Sequence, residues 1–479
     1  MPKQYETVIG LEVHVELSTK SKIFCGCSTA FGAKPNANTC PVCTGMPGAL
    51  PVLNKKVVEY AVAVGTALDC EITRDTRFDR KNYFYPDNPQ NYQISQLYLP
   101  ICRNGKIEIS TKEGGRKWIH IHEIHMEEDA GKLRHDENEN VSIVDYNRSG
   151  VPLIEIVSEP DLRSGEEAVT YLNKLRLMIQ YLGVSDCKLQ EGSMRADVNL
   201  SVREAGAAFY GVRTEMKNLS SMKAILRAVE HEKNRQIQLL KAGNRIVQET
   251  RGWDDSRGIS YSMRSKEDAK DYRYFPEPDL PLVHISEEWI SEIKKRQPEF
   301  CTEKIKRYQS EFGLPKYDAE VLTGNKTLAD FFEKTVQLSN RPKKVSNWLM
   351  GETMRLLNEK AMQPEDIPFS PEHLAKLIEL TEAGVIGITL AKEVFEVIFA
   401  KDVNPEIYIE EHGLKTVEDE KELHLIIEQV VKEYPKSVED YKSGKKKAIG
   451  FLVGQIMKAT QGRANPTLAK ELLEKQLSQ

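Results

Sequence analysis

One short segment restricts the fold more than any other. From Leu11 onward, Leu11, Val13, Val15 and Leu17 alternate with Glu12, His14 and Glu16. Strict alternation has the period of a β-strand, so one face is aliphatic and the other carries Glu12, His14 and Glu16 at a spacing of about 6.6–7 Å. The theme returns downstream. Arg195, Asp197, Asn199 and Ser201 alternate with Ala196, Val198, Leu200 and Val202, and Arg213, Glu215 and Lys217 alternate with Val212, Thr214 and Met216. The run from His125 to Asp129 sets Glu127, Glu128 and Asp129 beside a histidine, and the alternation before it slips between His122 and Ile124, as at a bulge. Taken singly, such a strand reads first as a solvated outer face. If the strands are neighbours, their polar faces make one surface rich in carboxylate, amide and imidazole. Such a surface suits a hard cation such as Mg²⁺, which keeps some waters and bridges to substrate phosphates.

A chain of 479 residues is too long for one core, so several domains are expected. Residues 1–292 read as β-rich, broken by turn clusters such as Pro86 to Pro89 and Asn104-Gly105, with one long helix from about Lys223 to Leu240 capped by Ser220 or Ser221. Beyond them, Glu288–Arg296, Leu328–Leu338 and Glu372–Glu382 carry apolar residues three or four apart. A break at Asn404-Pro405 divides a helical domain, 293–404, from a helical tail, 405–479, giving an α+β chain. No apolar run approaches the length that spans a bilayer, and the N-terminus lacks the pattern of a signal or transit peptide, so a cytoplasmic location is expected. The net charge of −5 means that an RNA partner would need a local basic patch.

Cys25-Gly26-Cys27 is followed by Cys40-Pro41-Val42-Cys43, the spacing of two thiolate-bearing turns that close a structural zinc site. Free cysteines and an iron–sulfur cluster are the alternatives. Cys70, Cys102, Cys187 and Cys301 are isolated and read as core residues. Ala130-Gly131-Lys132-Leu133 lacks the glycine spacing and the hydroxyl of a Walker loop, so an ATP site would need another architecture, with Arg80, Lys81 and Arg273 as phosphate partners.

From Lys442 to Lys475 cations outnumber acids. Ile449, Leu452, Val453, Ile456 and Met457 form a helical core stripe, while Lys447, Gly450, Gly454 and Lys458 share another face. Glycine inside a helix costs about 1 kcal/mol relative to alanine, so two on one face call for a reason. Either the bare backbone approaches a phosphodiester chain, or it admits another helix.

These motifs, among them Thr7 to His14, Phe78 to Asp87, His125 to Gly131, Asp145 to Arg148, Leu153 to Asp161, Asp271 to Asp279, Asn347 to Gly351 and Gly450 to Met457, span almost the whole chain. In them the chain closely resembles the B-subunit family of aspartyl/glutamyl-tRNA amidotransferases. The resemblance implies a cradle domain, a helical domain and a tail, working in a heterotrimer with an amidase and a small third subunit. The amidase would release ammonia from glutamine. The B subunit would use ATP and Mg²⁺ to phosphorylate the side-chain carboxylate of Glu-tRNA(Gln) or Asp-tRNA(Asn), and ammonia would displace the phosphate. By resemblance, Glu12, His14, Glu127 and Glu128 are the candidate metal ligands, with Asp197, Asn199 and Glu215 completing the metal and nucleotide shell. Lys81 would contact phosphate, as would Arg273. Some family members lack the four cysteines, so structural Zn²⁺ on Cys25, Cys27, Cys40 and Cys43 is an optional support. Lys447, Gly450, Gly454 and Lys458 would grip the tRNA. Two rivals are a non-catalytic zinc-stabilised RNA-binding scaffold and a metal-dependent nuclease; carboxylate-rich strand faces, which repel RNA phosphates, speak against the scaffold.

Overall fold

The structure, a computed structural model, describes residues 4–136, 139–265, 271–416, 420–460 and 462–477. The chain divides into two compact units, Met1–Phe300 and Cys301–Gln479.

The first unit is built on a nine-stranded sheet, whose strands we number in chain order: β1 (Tyr5–Glu16), β2 (Glu71–Ile72), β3 (Cys102–Ser110), β4 (Arg116–Glu128), β5 (Pro152–Ser158), β6 (Met194–Glu204), β7 (Thr214–Lys217), β8 (Glu249–Asp254) and β9 (Ile259–Ser265). Their spatial order is β9-β8-β7-β6-β1-β5-β4-β3-β2, so the alternating N-terminal strand is central. Among the described residues only the β7–β8 pair of this sheet is parallel. Leu11, Val13 and Val15 are buried with Ile154, Ile156, Ala196 and Val198 from the strands on either side. Each Leu, Ile or Val side chain so removed from water contributes about 1.5–3 kcal/mol, and a one-residue slip would turn them all outward, which pins the register. The bulge expected near His122 is present: Val157 faces Glu123 but Ser158 faces Ile121, leaving His122 as the extra residue.

The core face is covered by three helices, α1 (Lys55–Ala67), α2 (Gly165–Leu182) and α3 (Met222–Lys241). Only α3 matches the sequence reading, and its cap is Ser221, whose hydroxyl accepts the Ala224 N–H at 3.0 Å. Finding α1 and α2 corrects the expectation of one helix in this part. The sequence of α1 is a Val- and Ala-rich run that mimics a strand, whereas α2 carries a legible start signal, Ser164 accepting the Glu167 N–H at 3.2 Å. A small second sheet joins Asp79–Asn82 to Tyr92–Ser95 and to Phe275–Pro276.

The second unit is helical in its described residues and holds two separate apolar cores. One runs from Tyr308 to Ile409, the other from Leu423 to Leu477. Among the described residues no helix is long and apolar enough to cross a membrane.

Candidate active site and metal centres

The register of the central strands assembles the site. Across β4, β5, β1 and β6, His125 pairs with Glu155, Glu155 with His14, and His14 with Arg195. One step along the face, Glu12 lies opposite Asp197, and Asn199 lies opposite Glu215. Neighbouring strands are about 4.8 Å apart, so these side chains meet. The ligand atoms of His14, Glu127 and Glu155 lie within 4.8 Å of one another, as do those of Glu12, Asp197 and Glu215. Oxygen ligands at about 2.1 Å from Mg²⁺ stand roughly 3.0–4.2 Å apart round an octahedron, so both groups have the dimensions and donors for a hard cation.

Each group is partly neutralised. Lys217 bridges Asp197 at 2.5 Å and Glu215 at 2.8 Å, and Asn199 donates to Glu12 Oε1 at 2.8 Å. Burial, then the charge of Glu155, raises the Glu12 carboxyl above its ordinary value. In the other group Glu155 lies between two imidazoles, 3.3 Å from His14 Nε2 and 3.0 Å from His125 Nε2. Burial alone would disfavour every charge here. The pairing overcomes it, holding Glu155 well below the usual carboxylate range and both histidines above the usual imidazole range. Ser95 Oγ donates to Glu127 Oε2 at 3.1 Å.

Glu128 does not join either group. One residue beyond Glu127, it takes the other phase of β4, accepts the Ile94 N–H at 3.0 Å, and lines a cavity of about 280 Å³ with Lys22, Cys25, Cys43 and Tyr92. Burial pushes its carboxyl up to about 8. Lys81 is half-buried on the rim of the His14 group, its ammonium 5.2 Å from the Tyr272 ring centroid. Burial works against its charge, and Glu127, Tyr274 and Glu155 overcome it. Arg273 is exposed, with its backbone in the left-handed region at φ 44°. Arg80 is committed elsewhere, forked onto Glu277 at 2.6 and 2.8 Å and paired with Asp279 at 3.0 Å. Glu155 and Lys217 belong to the site although sequence reasoning did not single them out as site residues. The signal for Glu155 was one acid inside the aliphatic run Leu153-Ile154-Glu155-Ile156-Val157.

The four sulfurs of Cys25, Cys27, Cys40 and Cys43 also lie within 4.8 Å of one another, with Cys40 and Cys43 at 3.9 Å. A tetrahedron with Zn–S bonds of about 2.3 Å puts its sulfurs about 3.8 Å apart. A second observation fits a metal thiolate. Lys22 is 0 % exposed, and its ammonium donates to Cys43 Sγ at 3.4 Å and to the Tyr146 carbonyl at 3.1 Å. A buried cation without an anion is costly, and thiolate charge supplies one.

In the tail, Lys447 precedes the helix Ala448–Ala459, which buries Ile449, Leu452 and Ile456. Gly450, Gly454, Lys447 and Lys458 are exposed, and a Cβ built on either glycine meets nothing within 4 Å. Among the described residues, no second helix fills the bare stripe.

Fold and site define a class: an α+β protein whose candidate metal-binding carboxylates ride on the face of an open sheet. The GatB/GatE catalytic domain matches residues 7–291, and the GatB domain matches residues 330–477. The B subunit of the aspartyl/glutamyl-tRNA(Asn/Gln) amidotransferase of Agathobacter rectalis is 66% identical over 98% of this chain and 99% of its own. The protein so named in Lachnospira eligens is 64% identical over 99% and 100%, and that of Caldicellulosiruptor bescii 56% identical over 99% and 99%. The chain belongs to the GatB/GatE family, that of the B subunits of tRNA-dependent amidotransferases.

Proposed function

We propose that this chain binds a misacylated Glu-tRNA(Gln) or Asp-tRNA(Asn), phosphorylates its side-chain carboxylate with ATP, and passes the activated acid to ammonia. It would do so in a heterotrimer with an amidase and a small third subunit, the source of the ammonia being glutamine. The observation that carries this reading is the pair of ionisable groups, His14/Glu127/Glu155 and Glu12/Asp197/Glu215, side by side on one sheet face.

The chemistry follows from what a carboxylate lacks. It is a poor electrophile, and oxide is a poor leaving group. One carboxylate oxygen attacks the γ-phosphorus, the bond to the bridging oxygen breaks, and ADP leaves with the electron pair. Ammonia then attacks the carbonyl carbon of the mixed anhydride, the carbon–oxygen bond breaks, phosphate departs, and a proton is lost from nitrogen. His14, Glu127 and Glu155, with Glu12, Asp197 and Glu215, would hold Mg²⁺, which would supply charge neutralisation for the transferring phosphoryl. Lys81 binds phosphate, and Lys217 holds Asp197 and Glu215 in place before metal arrives. Cys25, Cys27, Cys40 and Cys43 would hold zinc, which would shape the segment from Lys22 to Cys43. The division into a cradle (1–292), a helical domain (293–404) and a tRNA-gripping tail (405–479) completes the proposal, with the exposed glycine stripe lying along phosphate backbone.

The test is ATP turnover by the reconstituted complex. It should need misacylated tRNA and Mg²⁺ together, and Glu12→Gln and Glu127→Gln should each lower it on the order of 100-fold. Turnover undiminished by both substitutions would remove the site from the reaction.

A further inference from the structure

Lys81 is an unusual lysine. Among the described residues its ammonium makes no hydrogen bond and no ion pair, although it is half-buried and faces the charges of Glu127 and Glu155. What bounds it is aromatic. The Tyr272 ring lies against it at 5.2 Å, and that ring is packed edge-on against Tyr83 and Tyr274, each at 6.2 Å between centroids.

The wall is held by its backbone. Asn82, the residue after Lys81, donates its N–H to the Tyr272 carbonyl at 3.0 Å. Its side-chain amide donates to the same carbonyl at 3.2 Å and to the Arg273 carbonyl at 2.8 Å. Those bonds grip a turn in which Arg273 sits at φ 44°, with its N–H donated to Asp271 Oδ1 at 2.9 Å. A long side chain rarely adopts that conformation, and such strain persists only where surrounding contacts impose it. On the next residues the strand pairs Arg80 with Phe275, so the whole segment is anchored beside the lysine.

We propose that Asn82 and Tyr272 are positioning residues for Lys81: the amide locks the strained turn, the turn presents the Tyr272 ring, and the ring holds the ammonium with its N–H bonds free for a nucleotide phosphate. This rests on the reading of Lys81 as a phosphate contact. The ring offers attraction without accepting a conventional hydrogen bond, so it fixes the lysine stem without consuming the donors an anion needs.

Calorimetric titration of the full chain with ATP and Mg²⁺ tests it, each variant first checked by thermal melting. Tyr272→Leu and Asn82→Ala should weaken nucleotide binding about tenfold, the scale of a desolvated cation–π contact, while Tyr272→Phe, which keeps the ring, restores it. In a Lys81→Met background, Tyr272→Leu should have no further effect. Tight binding by Tyr272→Leu, or an equal loss with and without Lys81, overturns the inference and leaves the nucleotide site standing. No binding by the unsubstituted chain overturns the nucleotide reading and the inference with it.

Discussion

Glu127 and Glu128 are consecutive on one strand and serve opposite sides of the sheet. Glu127 joins His14 and Glu155, whereas Glu128 accepts the Ile94 N–H at 3.0 Å beside Cys43. The sequence run of acids therefore resolves into two environments. Glu127→Gln is predicted to lower amidation on the order of 100-fold and to raise the Mg²⁺ needed for half-maximal rate. Glu128→Gln is predicted to leave the Mg²⁺ requirement unchanged. Rate measured against Mg²⁺ concentration for both variants separates them.

The four-sulfur cluster and Lys22 predict one zinc per chain. Cys43→Ser should lower the zinc content measured by atomic emission. Lys22→Met should keep the zinc but speed its capture by a chromogenic chelator, because the thiolates lose their buried counter-charge. Unchanged release kinetics would remove Lys22 from that role.

Stability and binding should move in opposite directions at Gly454. The position is helical and open, so Gly454→Ala is predicted to stabilise the tail by up to about 1 kcal/mol. The same methyl would keep a phosphate backbone from close approach, and tRNA affinity should fall several-fold. Thermal melting and a filter-binding titration read the two effects.

In the helical unit Glu333 accepts from Lys304 at 2.5 Å, from Arg307, and from the Tyr308 hydroxyl at 3.0 Å. Burial works against the charge, and these donors win, holding its carboxyl below the ordinary value. A depressed pKa stabilises the fold above the unfolded value near 4.3 and ceases to do so as pH falls through the folded one. Glu333→Gln should therefore cost about 1–2 kcal/mol at pH 7, reduced from a fully buried pair because the side chain is 25 % exposed. The stability gap between variant and wild type should begin to shrink as pH falls below the unfolded value of about 4.3. A gap that stays constant down to pH 3 would contradict the assignment.

The central strands were legible because one face is buried and the other polar, which gives Leu11 to Leu17 and Arg195 to Val202 a two-residue period. Helix α3 was legible from its cap and stripe. Helix α1 was not, since beyond Glu59 its Val- and Ala-rich run carries no charged residue to mark the outer face, and Val57, Val58, Ala61, Val62 and Val64 all go into the core. In the site, residues on alternating strands stood out. Glu155 did not, because its neighbours along β5 are apolar on both faces and its polar partners, His14 and His125, come from other strands. The split between Glu127 and Glu128 depends on where β4 ends its bulge, a matter of register that spacing alone does not carry.

Transfer of phosphate to the amino-acid side chain is the step on which the proposed function stands. Glu-tRNA(Gln) labelled with ¹⁸O in its side-chain carboxylate, turned over by the reconstituted complex with ATP, Mg²⁺ and glutamine, tests this directly. The expected result is one ¹⁸O atom in each phosphate released, seen by mass spectrometry. Phosphate without ¹⁸O, released while the glutamyl group is amidated, would contradict it.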